Sequence, residues 1–556
     1  MLICNLYSSL VKVFSDSEPT AAPLKKISAL RGEKISFQLA YYSNGYKWEP
    51  LIIDCEGKWK DALTYRRVGN VVVENLGASV FEHAAQQPYE RKTPGLYPDV
   101  LSPDMELMHV TPGVWHSVWI DLQVPCDAEA GKSELSFVIH NEVEKDAEAY
   151  FSFPKVEISV EIIDAELPPQ KLKHTEWFYC DCICHAHLVA PWSEAHWELL
   201  DRYFADFSAH GINMLLTPVF TPPLDTYVGG ERLTTQLVDI KKKGTTYSFC
   251  FKRLKRWIQL ARKNGIRYFE ISHLFTQWGA KCCPKIVANV DGKEEKIFGW
   301  HTSATSQEYR DFLAAFLSRL TAFLRREKIA DDCYFHISDE PNESCLENYR
   351  EASAILKPLL KGFKVIDAAS HPEFFTEGLV ELPVPVESEL DKFMDLNLPE
   401  RWTYYCGGPE LPYSNRMHTM PAAANRIMGV LLYLYQQNGF LHWGYNFWNT
   451  LVSRRVADPL SLEPDYGYNN GDACLVYPGV DGPLSSVREE VFFEGLQDLR
   501  ALELLESLQG RERVVSLIRE IAGYDLSMNK FPTDAEFLLK LRETVNSGIA
   551  EAGKVS

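Results

Sequence analysis

The sequence predicts an N-terminal all-β sandwich, then a (β/α)₈ TIM barrel, with extra helices at the C-terminus. Three patterns support this order. Apolar and polar residues alternate over roughly the first 170 residues, short apolar runs then alternate with helical patterns, and the last 50 or so residues are helical in pattern. We expect the sandwich at residues 1–168, the barrel at 169–510, and a helical extension packed on the barrel at 511–556.

Period-two alternation marks the strands of the first region. It is seen at residues 35–41, 118–124, 135–139 and 156–162. Each such strand buries one face, and two antiparallel sheets packed face to face are the simplest way to cover those faces. Leu167-Pro168-Pro169 ends the last run and favours a linker, because proline cannot continue a sheet ladder.

Eight short apolar runs follow the linker. They lie at 175–182, 212–217, 266–271, 333–337, 363–367, 384–387, 402–406 and 440–447. Eight strand-then-helix units over about 330 residues favour a closed barrel. An open doubly wound sheet is the alternative, but no Gly-rich fingerprint follows the first strand.

Helical patterns separate these runs. The clearest is an apolar stripe from Phe312 to Leu324, preceded by a capping box at Thr305 and Glu308. Others are expected over 197–207 and from about 421 toward 439, and the C-terminal pair over 511–521 and 535–549.

Composition excludes several classes of protein. The chain has 556 residues, of which 46% are apolar and 24% charged, as in ordinary globular proteins. It has no uncharged apolar stretch of the roughly 18 residues that a membrane span needs. The net charge of −19 repels phosphate backbones and anionic bilayers. We therefore expect neither nucleic acid nor a membrane as a partner.

The N-terminus and the cysteines suggest a cytoplasmic protein. Residues 1–19 have no basic segment before an apolar core and no small-residue cleavage site. The 13 cysteines are scattered without a repeat, which favours reduced thiols. Cys180, Cys182 and Cys184 alternate, as on one face of a strand, and lack the two-residue gap of zinc knuckles. We expect no metal and no cofactor.

Two consecutive carboxylates, Asp339 and Glu340, end the fourth predicted barrel strand. Barrel enzymes carry their chemistry at this end of the strands. His336 and Glu340 should face the lumen, because they alternate with apolar Phe335 and Ile337. On spacing alone, a solvated pair or a helix cap at Asp339 is the more common alternative.

Neighbouring carboxylates are poorly placed to straddle a scissile bond. Retaining glycosidases with a protein nucleophile hold their two carboxyl groups about 5–5.5 Å apart, on opposite sides of that bond. Two carboxyl groups on adjacent residues are better suited to two different catalytic roles. One protonates the leaving oxygen, and the other orients a nucleophile carried by the substrate, its 2-acetamido oxygen.

Longer motifs carry a family resemblance. Phe-His-Ile-Ser-Asp-Glu-Pro at 335–341 resembles glycoside hydrolase family 123, the β-N-acetylgalactosaminidases. Other segments similar to this family are 211–214, 217–226, 268–280, 298–300, 415–416, 441–447, 471–472 and 476–479. The resemblance covers nearly all of the predicted barrel and, more loosely, the N-terminal region.

This resemblance implies exo-hydrolysis of terminal β-linked N-acetylgalactosamine with retention, assisted by the substrate. Glu340 would be the general acid/base, and Asp339 would stabilise the acetamido group as an oxazolinium-like intermediate forms. The expected partner is an oligosaccharide that ends in this sugar. A non-catalytic glycan-binding protein on the same scaffold, or a glycosidase with an enzyme-borne nucleophile, is the alternative. The natural glycan, the galacto or gluco preference and the oligomeric state stay open.

Further strand-end residues are candidate sugar contacts. Tyr404 and Tyr405 end the seventh predicted strand, and Tyr405 is favoured to hold the acetamido oxygen. The eighth predicted strand offers two aromatic side chains and an amide that would suit a sugar ring. The candidates are Tyr405, Trp443, Tyr445, Asn446, His336, His273, Gln277, Trp278 and Asp181. For each of them, core packing or ordering of a loop is the alternative.

Overall fold

The computed structural model describes residues 2–45, 50–77, 88–106, 108–141, 153–460, 467–468 and 470–553. Its N-terminal region is rich in β-sheet, as the sequence predicts. The strands there are β1 (Leu2–Ser8), β2 (Lys26–Arg31), β3 (Lys34–Ser43), β4 (Leu51–Gly57), β5 (Leu63–Val73), β6 (Gly95–Ser102), β7 (Trp115–Gln123), β8 (Gly131–Asn141) and β9 (Lys155–Glu166). They form a sheet in the order β1-β3-β7-β5-β6 and another in the order β2-β9-β8-β4.

Apolar side chains of both N-terminal sheets belong to one buried cluster. Phe37 of β3 meets Phe137 of β8 edge to face, with ring centroids 5.9 Å apart, and neither side chain is exposed. This one-sided burial is what the period-two pattern indicates. Neighbouring strands run antiparallel, except that β2 pairs with β9 in parallel.

The rest of the chain forms a nearly closed parallel barrel. Its strands and those of its loops are, within the described residues, β10 (Lys173–Glu176), β11 (Met214–Thr217), β12 (Asp239–Lys243), β13 (Thr246–Cys250), β14 (Tyr268–Ile271), β15 (Ile286–Val290), β16 (Lys293–Phe298), β17 (Cys333–Phe335), β18 (Lys364–Ala368), β19 (Leu382–Val384), β20 (Trp402–Tyr404), β21 (Gly439–His442), β22 (Tyr477–Pro478) and β23 (Pro483–Leu484). The barrel order is β19-β18-β17-β14-β11-β10-β21-β20. The main chain of Tyr404 donates to the carbonyl of Pro385 at 3.1 Å, which brings the two ends of this order together.

Helices surround the barrel. Those of the described residues are α1 (Cys180–Ala186), α2 (Glu194–Ala209), α3 (Lys252–Lys263), α4 (Gln307–Arg326), α5 (Leu346–Leu356), α6 (Glu373–Thr376), α7 (Ala422–Arg426), α8 (Met428–Leu434), α9 (Val487–Gln509), α10 (Arg511–Ala522) and α11 (Ala535–Gly553). In the described ranges, every helix is too short or too polar to cross a bilayer.

Several predicted elements differ from the observed ones. Helix α4 is capped by Ser306, whose side chain accepts from the N–H of Tyr309, and not by the capping box predicted at Thr305 and Glu308. The run at 175–182 divides, because β10 ends at Glu176 and residues 180–186 form helix α1, so the alternating cysteines lie on a helix. The helix expected from 421 to 439 is broken into α7 and α8. The eighth barrel strand ends at His442, and beyond it the main chain of Tyr445 and Phe447 also hydrogen-bonds to residues 473–476. Periodicity alone does not separate a buried helix from a buried strand in such short apolar runs.

The C-terminal helices join the two parts of the molecule. Glu490 of α9 pairs with Lys34 at 2.5 Å and with Arg66 at 2.6 Å, both from the N-terminal sheets. Arg542 of α11 binds Glu33 at 2.6 Å and Asp498 of α9 at 3.0 Å. These contacts hold the N-terminal region beside the barrel.

Candidate active site

Asp339 and Glu340 follow β17 at the C-terminal end of the barrel strands, as the sequence predicts. The main-chain N–H of Trp278, in the loop after β14, donates to the carbonyl of Asp339 at 2.9 Å. Glu340 has φ +42°, in the left-handed region that non-glycine residues rarely adopt. A strained conformation of this kind persists only where the surroundings fix it.

The side chain that reaches Glu340 is Tyr404. Its hydroxyl donates to Oε1 of Glu340 at 2.7 Å, and burial raises the pKa of Tyr404 well above its usual value, so it stays a donor. The hydroxyl of Tyr405 instead donates to Oδ1 of Asn425 in helix α7 at 3.4 Å. Consecutive residues of a strand point to opposite faces. The structure therefore favours Tyr404 in the site where the sequence analysis favoured Tyr405.

Asp225, in the loop after β11, adds a third carboxylate to the site beside Asp339 and Glu340. Its main-chain N–H donates to Oε1 of Gln277 at 2.5 Å, and its φ of +45° is again left-handed. Burial raises the pKa of Asp225 to about 7. The positive charge of Arg232 opposes this rise, and the negative charges of Asp472 and Glu340 add to it. The carboxylates from three loops thus lie close enough to repel one another.

Burial raises the pKa of Asp339 well above its usual value, and the charges of Glu340 and Asp225 raise it further. The negative charge of Glu340 thus acts directly on Asp339. The site thus offers two carboxyl groups side by side for proton transfer.

An aromatic wall lies next to these carboxyl groups. The ring of Trp443 is 5.1 Å from that of Tyr468, and its indole N–H donates to Oδ2 of Asp472 at 3.1 Å. Tyr468 in turn donates to Asp225 at 3.3 Å, which connects the wall to the acidic cluster. Trp278 is 45% exposed on the neighbouring loop. Gln277 and Trp443 are thus linked to the acidic cluster through Asp225 and Tyr468, and Trp278 is linked to it through the main chain of Asp339.

Three of the expected sugar contacts are placed elsewhere. Tyr445 is fully buried and donates to a carboxylate oxygen of α2 at 2.6 Å. The amide of Asn446 bonds to both the N–H and the carbonyl of Tyr179, at 2.8 and 3.1 Å. Asp181 forms a buried two-point ion pair with Arg232, at 2.5 and 2.8 Å. These polar groups are already occupied by protein partners.

His273 and His336 lie beneath the carboxylates, and neither side chain is exposed. Their rings stack with centroids 4.2 Å apart. The nitrogens of His336 lie 2.9 Å from Asp367 and 2.5 Å from Glu270. Burial alone would lower the pKa of His336, but these two carboxylates raise it to about 10. His336 is therefore a buried imidazolium.

Candidate metal ligands occur in two groups of the described residues, with ligand atoms within 4.8 Å: His273, His336 and Asp367, and Asp206, His210 and Glu489. In the first group both nitrogens of His336 face carboxylates. In the second, both nitrogens of His210 face oxygens at 2.9 Å. A doubly protonated imidazole has no lone pair for a metal. Neither group fits a metal centre in this state.

Four carboxylates of this region were not among the residues expected from the sequence. Glu270 and Asp367 lie within the predicted strands 266–271 and 363–367, where a lone carboxylate among apolar neighbours is a signal for a lumen position. Asp225 and Asp472 come from loops that are distant in sequence. Both lie in segments that resemble the family, 217–226 and 471–472, but that resemblance alone does not show that the two loops converge.

Comparison with known proteins identifies the family. The family model of the glycoside hydrolase 123 catalytic domain matches residues 177–505. The chain belongs to glycoside hydrolase family 123. The matched residues of this family 123 protein include every barrel strand except β10, together with the loops that carry Asp225, Asp339, Glu340 and Trp443. The protein is therefore a glycoside hydrolase.

A solved structure supports the fold of the family 123 protein. A family 123 glycoside hydrolase from Clostridium perfringens, studied for glycolipid glycan hydrolysis, superposes with a TM-score of 0.73 at 14% identity, covering 100% of this chain and 99% of that one. Bacteroides thetaiotamicron EndoBT-3987, solved with a Man5GlcNAc product, reaches only 0.22 at 7% identity, covering 83% and 96%. Among curated proteins no sequence matches the chain.

Proposed function

We propose that this family 123 enzyme is a retaining exo-β-N-acetylgalactosaminidase in which the 2-acetamido group of the substrate is the nucleophile. The observation that carries the proposal is the position of Asp339 and Glu340 at consecutive residues of one strand end, with Tyr404 2.7 Å from Glu340. Side chains on adjacent residues can serve one face of a sugar more readily than they can flank its scissile bond.

Glu340 is the general acid/base. Its proton passes to the glycosidic oxygen as the bond to C1 breaks, and in the second half-reaction Glu340 takes a proton from the water that attacks C1. The hydroxyl of Tyr404 donates to the carboxylate that forms when Glu340 gives up its proton. This hydrogen bond strengthens as charge develops, so it favours the transition state over the ground state.

Asp339 holds the acetamido group. Its carboxylate accepts the N–H of that group, so the carbonyl oxygen is aimed at C1 and the positive charge of the oxazolinium-like intermediate is balanced. When substrate is bound, its amide N–H donates to Asp339 and so favours the anionic form of this carboxyl group, against the burial that raises its pKa.

The surrounding residues suit a sugar ring. Trp443 offers an apolar face for stacking, and Trp278 stands at the mouth, where the next sugar would lie. Asp225 and Asp472 offer carboxylate oxygens for hydroxyl groups. Because the Clostridium perfringens enzyme was studied for glycolipid glycan hydrolysis, we propose that the substrate here is also a glycolipid glycan that ends in β-linked N-acetylgalactosamine.

Inhibition by a cyclic mimic tests the proposal. N-acetylgalactosamine thiazoline copies the bicyclic intermediate, so it should bind much more tightly than N-acetylgalactosamine itself. NMR of the first product should show the β-anomer. Weak thiazoline inhibition with a β-product would indicate an enzyme-borne nucleophile, and saturable sugar binding without turnover would indicate a glycan-binding protein.

A further inference from the structure

The chain leaves the barrel ladder just before its catalytic residues. The pairing of β17 with β18 ends at Phe335. Beyond it, the main-chain N–H of Ile337 donates to Oδ1 of Asp367 at 3.1 Å, and that of Ser338 donates to Oδ2 at 3.2 Å. A carboxylate side chain of β18 thus replaces the carbonyl groups that a neighbouring strand would offer.

Asp367 is itself held by buried partners. His336 donates to it at 2.9 Å, and the hydroxyl of Tyr349 donates to its other oxygen. On its far side His336 binds Glu270 at 2.5 Å, and Glu270 accepts from the indole of Trp177 at 2.8 Å. None of these five side chains is more than 2% exposed. They form a continuous hydrogen-bonded chain across the bottom of the site.

The opposite side of this segment is bound by the loop after β14. The carbonyl of Ile337 accepts from Phe275 at 2.9 Å, and the hydroxyl of Ser338 donates to the carbonyl of Thr276 at 2.8 Å. The backbone that leads into Asp339 is therefore held from both sides. The left-handed φ of Glu340 requires such support, because that conformation is strained for a residue with a Cβ.

We propose that the Glu270–His336–Asp367 chain is a positioning unit, which touches no substrate atom but fixes the turn that presents Asp339 and Glu340 to the sugar. This inference rests on the proposed function. His336 acts in it as a buried cation that donates to a carboxylate on each side. The raised pKa of His336, about 10, agrees with a permanent charge at neutral pH.

A double-mutant cycle tests the inference. Asp367→Asn keeps the size of the side chain but removes its charge and one acceptor. On an aryl β-N-acetylgalactosaminide it should lower kcat on the order of 10²-fold, as expected for a displaced catalytic group, with KM nearly unchanged. Combined with Asp339→Asn it should cost much less than the product of the two single losses, because both act through one group.

Glu400→Gln is the matched control. Glu400 is a mostly buried carboxylate that binds Lys173 at 3.1 Å and Lys364 at 2.8 Å, where β10 and β18 begin, at the opposite end of the barrel. We expect it to lower the melting temperature while kcat stays within about twofold. If Asp367→Asn does not fold, Tyr349→Phe removes only one hydrogen bond to Asp367 and should lower kcat about fivefold.

Three results would overturn the inference: unchanged kcat in the folded Asp367 or Tyr349 variants, multiplicative losses in the double variant, or an equal kcat loss in Glu400→Gln. Failure of the proposed function has a different signature, because the wild-type enzyme would then not turn over the aryl glycoside. In that case the inference falls with the function on which it rests.

Discussion

The hydroxyl of Tyr404 donates a 2.7 Å hydrogen bond to the carboxylate of Glu340 across the mouth of the barrel. Two strands, β18 and β19, separate β17 from β20 in the barrel order, so this contact joins elements that do not pair directly. It therefore depends on the whole barrel being assembled, and it ties the proposed acid/base to a donor that is fixed in position.

Removing this hydroxyl should slow catalysis. We expect Tyr404→Phe to lower kcat by roughly 10- to 100-fold, since a hydrogen bond to a charged group is worth about 1.5–3 kcal/mol. Tyr405→Phe is the control, because its hydroxyl faces Asn425 at 3.4 Å. Equal losses in the two variants, measured on an aryl β-N-acetylgalactosaminide, would contradict this role for Tyr404.

The two carboxylates should respond differently to the leaving group. Glu340→Gln should abolish cleavage of natural glycosides but retain part of the rate on aryl glycosides, whose phenolate leaves with little protonation. Asp339→Asn should lose rate on both kinds of substrate, because it affects attack by the acetamido group. Rates of both variants against the pKa of the leaving phenol would separate the roles, and matching slopes would count against them.

Ionisation of Asp225 should lower the stability of the folded protein at alkaline pH. Its pKa of about 7 lies above the usual 3.8, so the folded protein binds this proton more tightly than the unfolded chain does. Its contribution to stability is therefore greatest at acid pH and falls as pH rises toward and through 7. We expect Asp225→Asn to raise the melting temperature at pH 8 relative to wild type, with a smaller change at pH 5. A lowered melting temperature at pH 8 would be inconsistent with this reasoning.

The same variant should also bind substrate less well. In the proposed function Asp225 accepts a sugar hydroxyl, so Asp225→Asn should raise KM at pH 8, where the carboxylate is ionised. Measurement of KM on the aryl glycoside at pH 5 and pH 8 checks this. An unchanged KM at both values would remove Asp225 from the sugar-binding set.

Asp181 and Arg232 should matter for folding. Their ion pair is about 5% exposed on each side chain. Removing one partner of a buried pair leaves the other charge uncompensated and typically costs about 3–5 kcal/mol. We expect Asp181→Asn to lower the free energy of unfolding in urea by about this amount, with kcat nearly normal in the folded fraction. A stable variant with raised KM would instead support the sugar contact expected from the sequence.

Much of the fold follows from local pattern. Period-two alternation indicates the strands around Phe37 and Phe137, and the apolar run at 333–337 places Asp339 and Glu340 at a strand end. These inferences succeed because side-chain direction is fixed within one strand. The pattern fails at 175–182, where the apolar residues are equally compatible with the end of a strand and with the buried helix α1.

The candidate site is harder to predict from the sequence than the fold is, because it depends on contacts between loops. Alternation shows that one of Tyr404 and Tyr405 faces the lumen, but not which, since β20 spans only three residues. Tyr445 and Asn446 were expected on a strand that ends at His442, so their directions could not be inferred. Asp225 enters the site through a loop whose path is set by Gln277, 52 residues away.

In the proposed mechanism, the acetamido oxygen of the substrate attacks C1 of the same sugar. The most direct test is the ratio of kcat/KM for an aryl β-N-acetylgalactosaminide to that for the matching aryl β-galactoside, which differs only at C2. We expect a ratio of at least about 10³, because the second substrate lacks the intramolecular nucleophile. Comparable rates on the two glycosides would contradict the claim.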